Sequence, residues 1–357
     1  MSHFDHGQIP TTYSAYIGRK ILFLVFLAGL TGILLILAVS LGAVRIPAWE
    51  VVLAFFGLGE DARYEIIVRN IRLPHALAAI LAGAGLAAAG AAMQSILRNP
   101  LGSPFTLGIS QAGAFGAAFS VMLLGSGTMQ STQVGAVSII NPYLTTLSAF
   151  IACMAASLII IAIARLRGAS PEVMVLSGVA LGSLFSAGTM FLQYFADDVQ
   201  LAAMVFWTFG DVGRAGWPEV GFMAVVVSGA VLFFILNRWN YNAIDAGDET
   251  ARGLGVRVEL VRMVGMLTAS LVTAVIVSFL GIIGFVGLVC PHIVRRVIGD
   301  DHRFLLPASA LTGACLLLAA DITARMLLAP RMLPVSILTA FLGAPTFLYL
   351  LIRGRNR

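Results

Sequence analysis

The stretch GFVGLVCPHIVRR, residues 284–296, sets Cys290 and His292 either side of Pro291 and follows them with Arg295 and Arg296. A thiol and an imidazole this close suggest a metal site or a nucleophile with its base. The same residues also read as a joint. Gly281, Gly284 and Gly287 recur at intervals of three before Pro291, and glycine and proline at membrane depth mark a helix that is bent or broken, tolerated only inside protein or beside a water-filled path. A second candidate is Asp321, four residues before Arg325 in DITAR. A buried carboxylate could serve ion-coupled transport, whereas this spacing puts both side chains on one helix face, where they pair. Asp248 and Glu249 precede Arg252 at helical spacing, and Gly253 and Gly255 follow as a stop. No GxxxxGK[ST] phosphate loop is present, the single lysine being Lys20, and neither HExxH nor GxSxG occurs. Cys153, Cys290 and Cys315 form no CxxC and lie in apolar surroundings, as small hydrophobic residues do.

The elements that must position these residues follow from composition. Of 357 residues, 59% are hydrophobic and 11% charged, against about 25% charged in a soluble domain, and the mean hydropathy is +0.95. Such a chain cannot cover itself with polar groups, so its solvent is largely lipid. The formal charge of +5 comes from arginines spread among loops, a membrane-protein pattern with no basic run interleaved with aromatics, which excludes nucleic acid. Residues 1–20 lack a signal peptide's charged start and cleavage site and read as a cytoplasmic leader, followed by a single transmembrane domain, 21–357. A bilayer core needs roughly 20 apolar residues per helix. Spans are expected near 21–43, 74–97, 105–124, 144–164, 174–196, 219–237, 260–280, 282–298 (short, broken by Pro291), 305–324 and 336–352, ten in all. With the N-terminus inside, fifteen Arg and Lys residues fall on the inner side and seven on the outer, which satisfies the positive-inside rule and leaves both termini cytoplasmic. AGAGLAAAGAA (82–92) and GVALG (178–182) are small-residue surfaces for close helix packing. The inner loop 237–262 is long enough to hold two short helices, and the outer segments 200–217 and 325–334 read as short helical pieces.

Several segments resemble one family, the FecCD-type membrane permeases of binding-protein-dependent ABC importers for iron-siderophores, haem and cobalamin. They are RLPHALAAILAGAGLAAAGAAMQSILRNPLGSPFTLGIS (72–110), LGVRVELVR (254–262), the long block from Gly284 to Arg325, and LPVSILTAFLGAPTFLYLL (333–351). The resemblance implies an all-α polytopic fold, the type II ABC importer permease, in the cytoplasmic (inner) membrane. It implies no enzyme activity, cofactor or metal in this chain, with ATP and Mg bound by a separate ATPase. Its partners would be a second permease subunit, two identical copies being the simpler arrangement, two cytoplasmic ATPase subunits and a periplasmic or lipid-anchored binding protein. The cargo would be a metal chelate, a ferric siderophore foremost, with haem, cobalamin or an oxyanion as alternatives.

Roles carry over residue by residue. Arg72 and Arg325 match outer arginines that meet the binding protein, or else bind lipid headgroups; His75 stands where the family has a second arginine, and Arg69 would replace it. Asn99, Pro100 and Leu101 match the turn that narrows the inner mouth, and Ser170, Pro171 and Glu172 occupy the second gate, where Glu172 departs from the family's small polar residues or simply favours a helix start. Asp248, Glu249, Arg252, Gly253, Leu254 and Gly255 match the ATPase-coupling helices of the loop 237–262. Gly284, Gly287, Pro291, His292 and Arg295 become structural or coupling residues, and Cys290 an ordinary apolar position. Met332 and Ser336 replace the family's glutamate and glycine. Two rivals remain: a stand-alone secondary carrier built on Asp321, and a membrane enzyme using Cys290 or His292.

Overall fold

Apolar runs of twenty or more residues bury their backbone polar groups by forming helices, the only open-ended solution in lipid. The computed structural model describes residues 11–42, 44–59, 61–129, 137–139, 142–328 and 333–354. Through these the chain runs as α1 (Thr11–Ser40), α2 (Ala48–Phe56), α3 (Ala62–Ile66), a π-helical turn over Ile67–Arg72, α4 (Leu73–Ile96), α5 (Ile109–Leu123), an antiparallel pair of β1 (Gly127–Met129) and β2 (Val137–Ile139), α6 (Pro142–Arg165), α7 (Pro171–Phe195), α8 (Asp198–Thr208), a 3-10 turn at Val212–Arg214, α9 (Trp217–Leu236), α10 (Arg238–Asp245), α11 (Asp248–Gly253), α12 (Val258–Leu280), α13 (Val286–Ile298), α14 (His302–Leu327) and α15 (Val335–Gly354). Seven helices of the described residues are long and apolar enough to cross a bilayer. The shorter apolar helices α5 and α15, together with the 13-residue α13, fall on the remaining three of the ten segments expected from the sequence. Pro74 has no N–H to donate, and the turn ahead of it widens into the π-helical stretch, so α3 and α4 run on as one 35-residue helix.

The helix α4 lies at the centre and packs on α14, α12, α9 and α13. It is the most enclosed span, 78% of its apolar window being buried, whereas α1 rides on the outside of α14 with 11% buried. A second group, α5, α6 and α7, is joined to the centre through α12. Small residues set these distances. A Cβ on Gly83 would stand 2.2 Å from the Gly313 carbonyl oxygen, and one on Gly90 1.8 Å from that of Gly287, so α14 and α13 meet α4 backbone to backbone. Gly178 and Gly182 of α7 make the same kind of seat for Leu107 and Gly108.

The break before the short span falls elsewhere than the sequence suggests. It lies at residues 281–285, between α12 and α13, where Phe285 takes the left-handed conformation with φ 67°. Pro291, expected to break the helix, sits inside a continuous α13. The carbonyl that Pro291 leaves without a helical donor is that of Gly287, four residues back, and this oxygen is the one pressed against Gly90. α13 keeps its course past Pro291 while packed at this point on the α4 backbone.

Candidate functional site

One end of the bundle collects the C-terminus of α4 and the N-termini of α12 and α14, with α10 and α11 laid across them; this is the basic end. Asp248 opens α11 and accepts two hydrogen bonds from Arg262 of α12, at 2.7 and 2.8 Å. Arg262 is almost wholly buried and also donates to the Ile96 carbonyl at 3.0 Å, so one guanidinium ties three helices. The planar fork of arginine suits this paired geometry. Arg98 reaches the same Asp248 at 3.7 Å.

Asp245, the last residue of α10, takes hydrogen bonds at 3.0 Å from Ser95 of α4 and from His302 of α14, and Arg295 stands 3.9 Å away. Burial pushes the Asp245 carboxyl up, but the hydrogen bonds from His302 and Ser95 and the charge of Arg295 outweigh it and hold it below the usual range. Asp248 is likewise held low, its partial burial being offset first by Arg262. Ser95, His302 and Asp245 have the residue types of a hydrolytic triad without its geometry. Serine and aspartate both meet Nε2 of His302, while its buried Nδ1 has no hydrogen-bond partner, so no proton could be passed from one side of the ring to the other.

The expected gate and joint meet this cluster. Asn99 folds back to accept from the Leu101 amide at 2.9 Å, and Arg98 before it has φ 45°, which makes a tight exposed turn. Asn99 and Pro100 line a cleft with Gln94, Arg98, Asp245, Arg295 and Asp300. Arg295 pairs with Asp300 at 2.9 Å and touches Gln94 at 3.4 Å. Ser170 precedes α7, Pro171 is its first residue, and Glu172 in its first turn accepts from the Ser170 hydroxyl, where a carboxylate favours the helix start. On α11, Glu249, Arg252, Gly253, Leu254 and Gly255 form an exposed surface, with Leu254 70% exposed. Gly255 closes it at φ 84° with no atom near a would-be Cβ; a side chain there would be strained by its backbone alone.

Cys290 is fully buried, and His292, two residues on, cannot share its face of α13. The edge of the His292 ring faces Phe347 at 6.5 Å. Gly284 leads into α13 and Gly287 meets α4. Among the described residues no three His, Cys, Asp or Glu side chains group as metal ligands.

At the opposite end the arginines look inward. Arg72 is buried and donates to the carbonyls of Val39 (2.8 Å), Ser40 (3.0 Å) and Val44, satisfying the end of α1. Arg325 pairs with Asp321 at 2.7 Å, both side chains largely buried. Arg69 is half exposed and pairs with Glu65 at 2.7 Å. His75 is partly buried in the first turn of α4, within reach of the charges of Asp211 and Arg325. Ser336 exchanges hydrogen bonds with Gly210, donating its amide at 3.2 Å and accepting at its hydroxyl at 3.0 Å. Met332 lies outside the described residues.

Sequence reasoning missed Ser95, Asp245 and His302 as site residues, and counted Arg98 and Arg262 only as inner-side charges. Ser95, Asp245 and His302 lie 57 to 207 positions from one another, and the only available signal was polar residues at the ends of apolar spans.

Comparison with known proteins shows the family and the fold. The FecCD transport family matches residues 30–353. An ABC transporter permease protein of Methanocaldococcus jannaschii is 53% identical over 98% of this chain and 99% of its own length. The Fe(3+)-citrate import system permease protein of Bacillus subtilis strain 168 is 37% identical over 93% of this chain and 95% of its own. A solved structure described as an inward-facing metal-chelate type ABC transporter superposes with a TM-score of 0.79 at 28% identity, covering 93% of this chain and 99% of that one. The chain belongs to the FecCD transport family and is a membrane-spanning permease of the ABC importer class.

Proposed function

We propose that this permease carries a metal chelate, a ferric siderophore foremost, inward across the cytoplasmic membrane, with both termini in the cytoplasm and the basic end facing it. A second copy of the chain completes the path, two ATPase subunits dock on α10 and α11, and a substrate-binding protein delivers the ligand at the opposite end. The observation that carries the reading is the join at the basic end. The exposed α11 surface around Leu254 is fixed through Asp248 to Arg98, directly before the gate turn, and to the buried Arg262 of α12. Force applied to α11 by a partner is thereby delivered to the inner mouth. The ferric-citrate permease and the metal-chelate transporter among its relatives support an iron chelate as cargo.

A stand-alone secondary carrier would need Asp321 on the path, but it is engaged with Arg325 on one helix face. Arg69 is the exposed arginine best placed for the binding protein, while Arg72 and Arg325 serve internal contacts in this conformation. Native mass spectrometry of the gently extracted complex tests the assembly. Two permease chains with two ATPase-sized subunits are expected; a chain that stays alone under several mild conditions, with uptake intact, overturns it. Gly255→Leu should leave the complex assembled yet uncouple ATP hydrolysis from uptake, and normal uptake in that variant would remove α11 from the coupling path.

A further inference from the structure

A groove of ≈ 920 Å³ opens between the N-terminal part of α1 and the C-terminal part of α13. Arg19, Lys20, Arg295 and Arg296 line its rim, and Leu22, Phe23 and Phe26 its apolar wall, with Tyr16 and residues Val297 to Asp300 closing it. Asp300 is the one carboxylate in the lining, and it is engaged by Arg295 at 2.9 Å. The Lys20 ammonium lies over the rings of Tyr16, at 4.3 Å, and Phe304, at 5.1 Å, which hold it beside the groove rather than out in water. The wall continues onto the least covered face of the bundle: Leu22 is 68% and Phe26 61% exposed. That face of α1 has lipid as its solvent.

We propose that this groove binds the headgroup of an anionic phospholipid, with Arg19, Lys20 and Arg296 around its phosphate and its acyl chains along Leu22, Phe23 and Phe26. A cationic rim above an apolar wall that opens sideways to the bilayer matches both halves of a lipid, whereas a free phosphate would use only the rim. Basic pockets between membrane helices take anionic headgroups in this way. The groove also has a back wall with a second use. Arg295 and Asp300 line both it and the cleft behind Asn99 and Pro100, so the groove shares a wall with the guanidinium that stands 3.9 Å from Asp245.

The test uses the full chain in detergent, supplied with phosphatidylglycerol or with phosphatidylcholine of the same acyl chains, and counts retained lipid by native mass spectrometry. The wild type should keep one phosphatidylglycerol per chain and little phosphatidylcholine. Arg19→Gln/Lys20→Gln/Arg296→Gln should weaken that retention by about 10- to 100-fold, while Arg165→Gln/Arg167→Gln, exposed arginines of the same end outside the groove, should not. Thermal melting of both variants confirms that they are folded; a triple variant that does not fold is replaced by the single Arg19→Gln, expected to lose several-fold. Equal loss in both variants would mean diffuse attraction to the membrane and would overturn the site, as would equal retention of the two lipids. Displacement of the lipid by millimolar inorganic phosphate would assign the groove to a free anion. Retention that appears only after deletion of residues 2–10 would assign it to that segment of the chain. Either result sinks the proposal.

Discussion

The two ends of the bundle differ in what their basic side chains hold together. At the basic end Arg262, Arg98, Arg295 and His302 meet the carboxylates of Asp248 and Asp245, side chain to side chain, and so join α10 and α11 to the helices beneath them. At the other end Arg72 and Arg214 are held by main-chain carbonyls, three each, about the ends of α1 and α8, and the carboxylate pairs of Arg69 and Arg325 lie one turn away along the same helix. A carbonyl contact depends on the helix terminus staying formed and fixes where that helix stops. A carboxylate contact depends on a second element staying docked, and it can be exchanged for another charge when that element moves. The short helices α10 and α11 are thus attached by bonds between separate elements, and Arg72 and Arg214 at the opposite end by bonds that fix where a helix stops.

The largest effect should come from breaking the buried pair. Arg262→Met leaves Asp248 without its main partner and should cost about 3–5 kcal/mol, read as a lower melting temperature of the purified permease with early loss of protection in α10 and α11 by hydrogen exchange. A change below about 1 kcal/mol would show that side-chain pairing does not hold the basic end. Arg72→Met should cost less, about 1.5–3 kcal/mol, and expose the α1–α2 connection to protease in the isolated chain. If Arg72 acted only on a partner protein, the isolated chain would melt unchanged, so this variant sharpens the contrast between capping and docking.

The smallest effect is electrostatic. Asp301 caps α14; its partial burial acts upward, but hydrogen bonds from the Arg303 side chain and backbone and from Asn242 hold its carboxyl down at about 2. Its folded value is below the unfolded value of about 3.9, so it stabilises above about pH 4, and that contribution fades as pH falls towards about 2. Asp301→Asn keeps a capping oxygen and should flatten the decline in melting temperature over that window. An unchanged slope would mean that Asp301 contributes no pH-dependent stability.

Much of the fold could be read from the chain because each span carries its own signal: an apolar run of membrane length. The short helices α10 and α11 were legible for a local reason too, charges at helical spacing closed by Gly253 and Gly255. The hairpin of β1 and β2 was not, since strands of three residues among serines and glycines have no period to detect. Pro291 misled because a proline normally breaks the helix four residues on from an abandoned carbonyl, and nothing in the sequence says that Gly90 lies across from that carbonyl. Arg72 was recognised as important while its partners were not, because any residue can offer a carbonyl oxygen. Asp245, Ser95 and His302 are brought together only by the packing of α4, α10 and α14.

The glycine contacts of α4 restrict the motions open to this transporter. Gly83 and Gly90 are seven residues apart, two turns along one stripe, and face Gly313 and Gly287 in turn. Turning α4 about its own axis by one residue, about 100°, would bring a side chain to a place where not even a methyl fits. These contacts oppose rotation of α4 against α13 and α14. Tilting of these three helices together against α5, α6 and α7, which reach them through α12, would leave the glycine contacts intact.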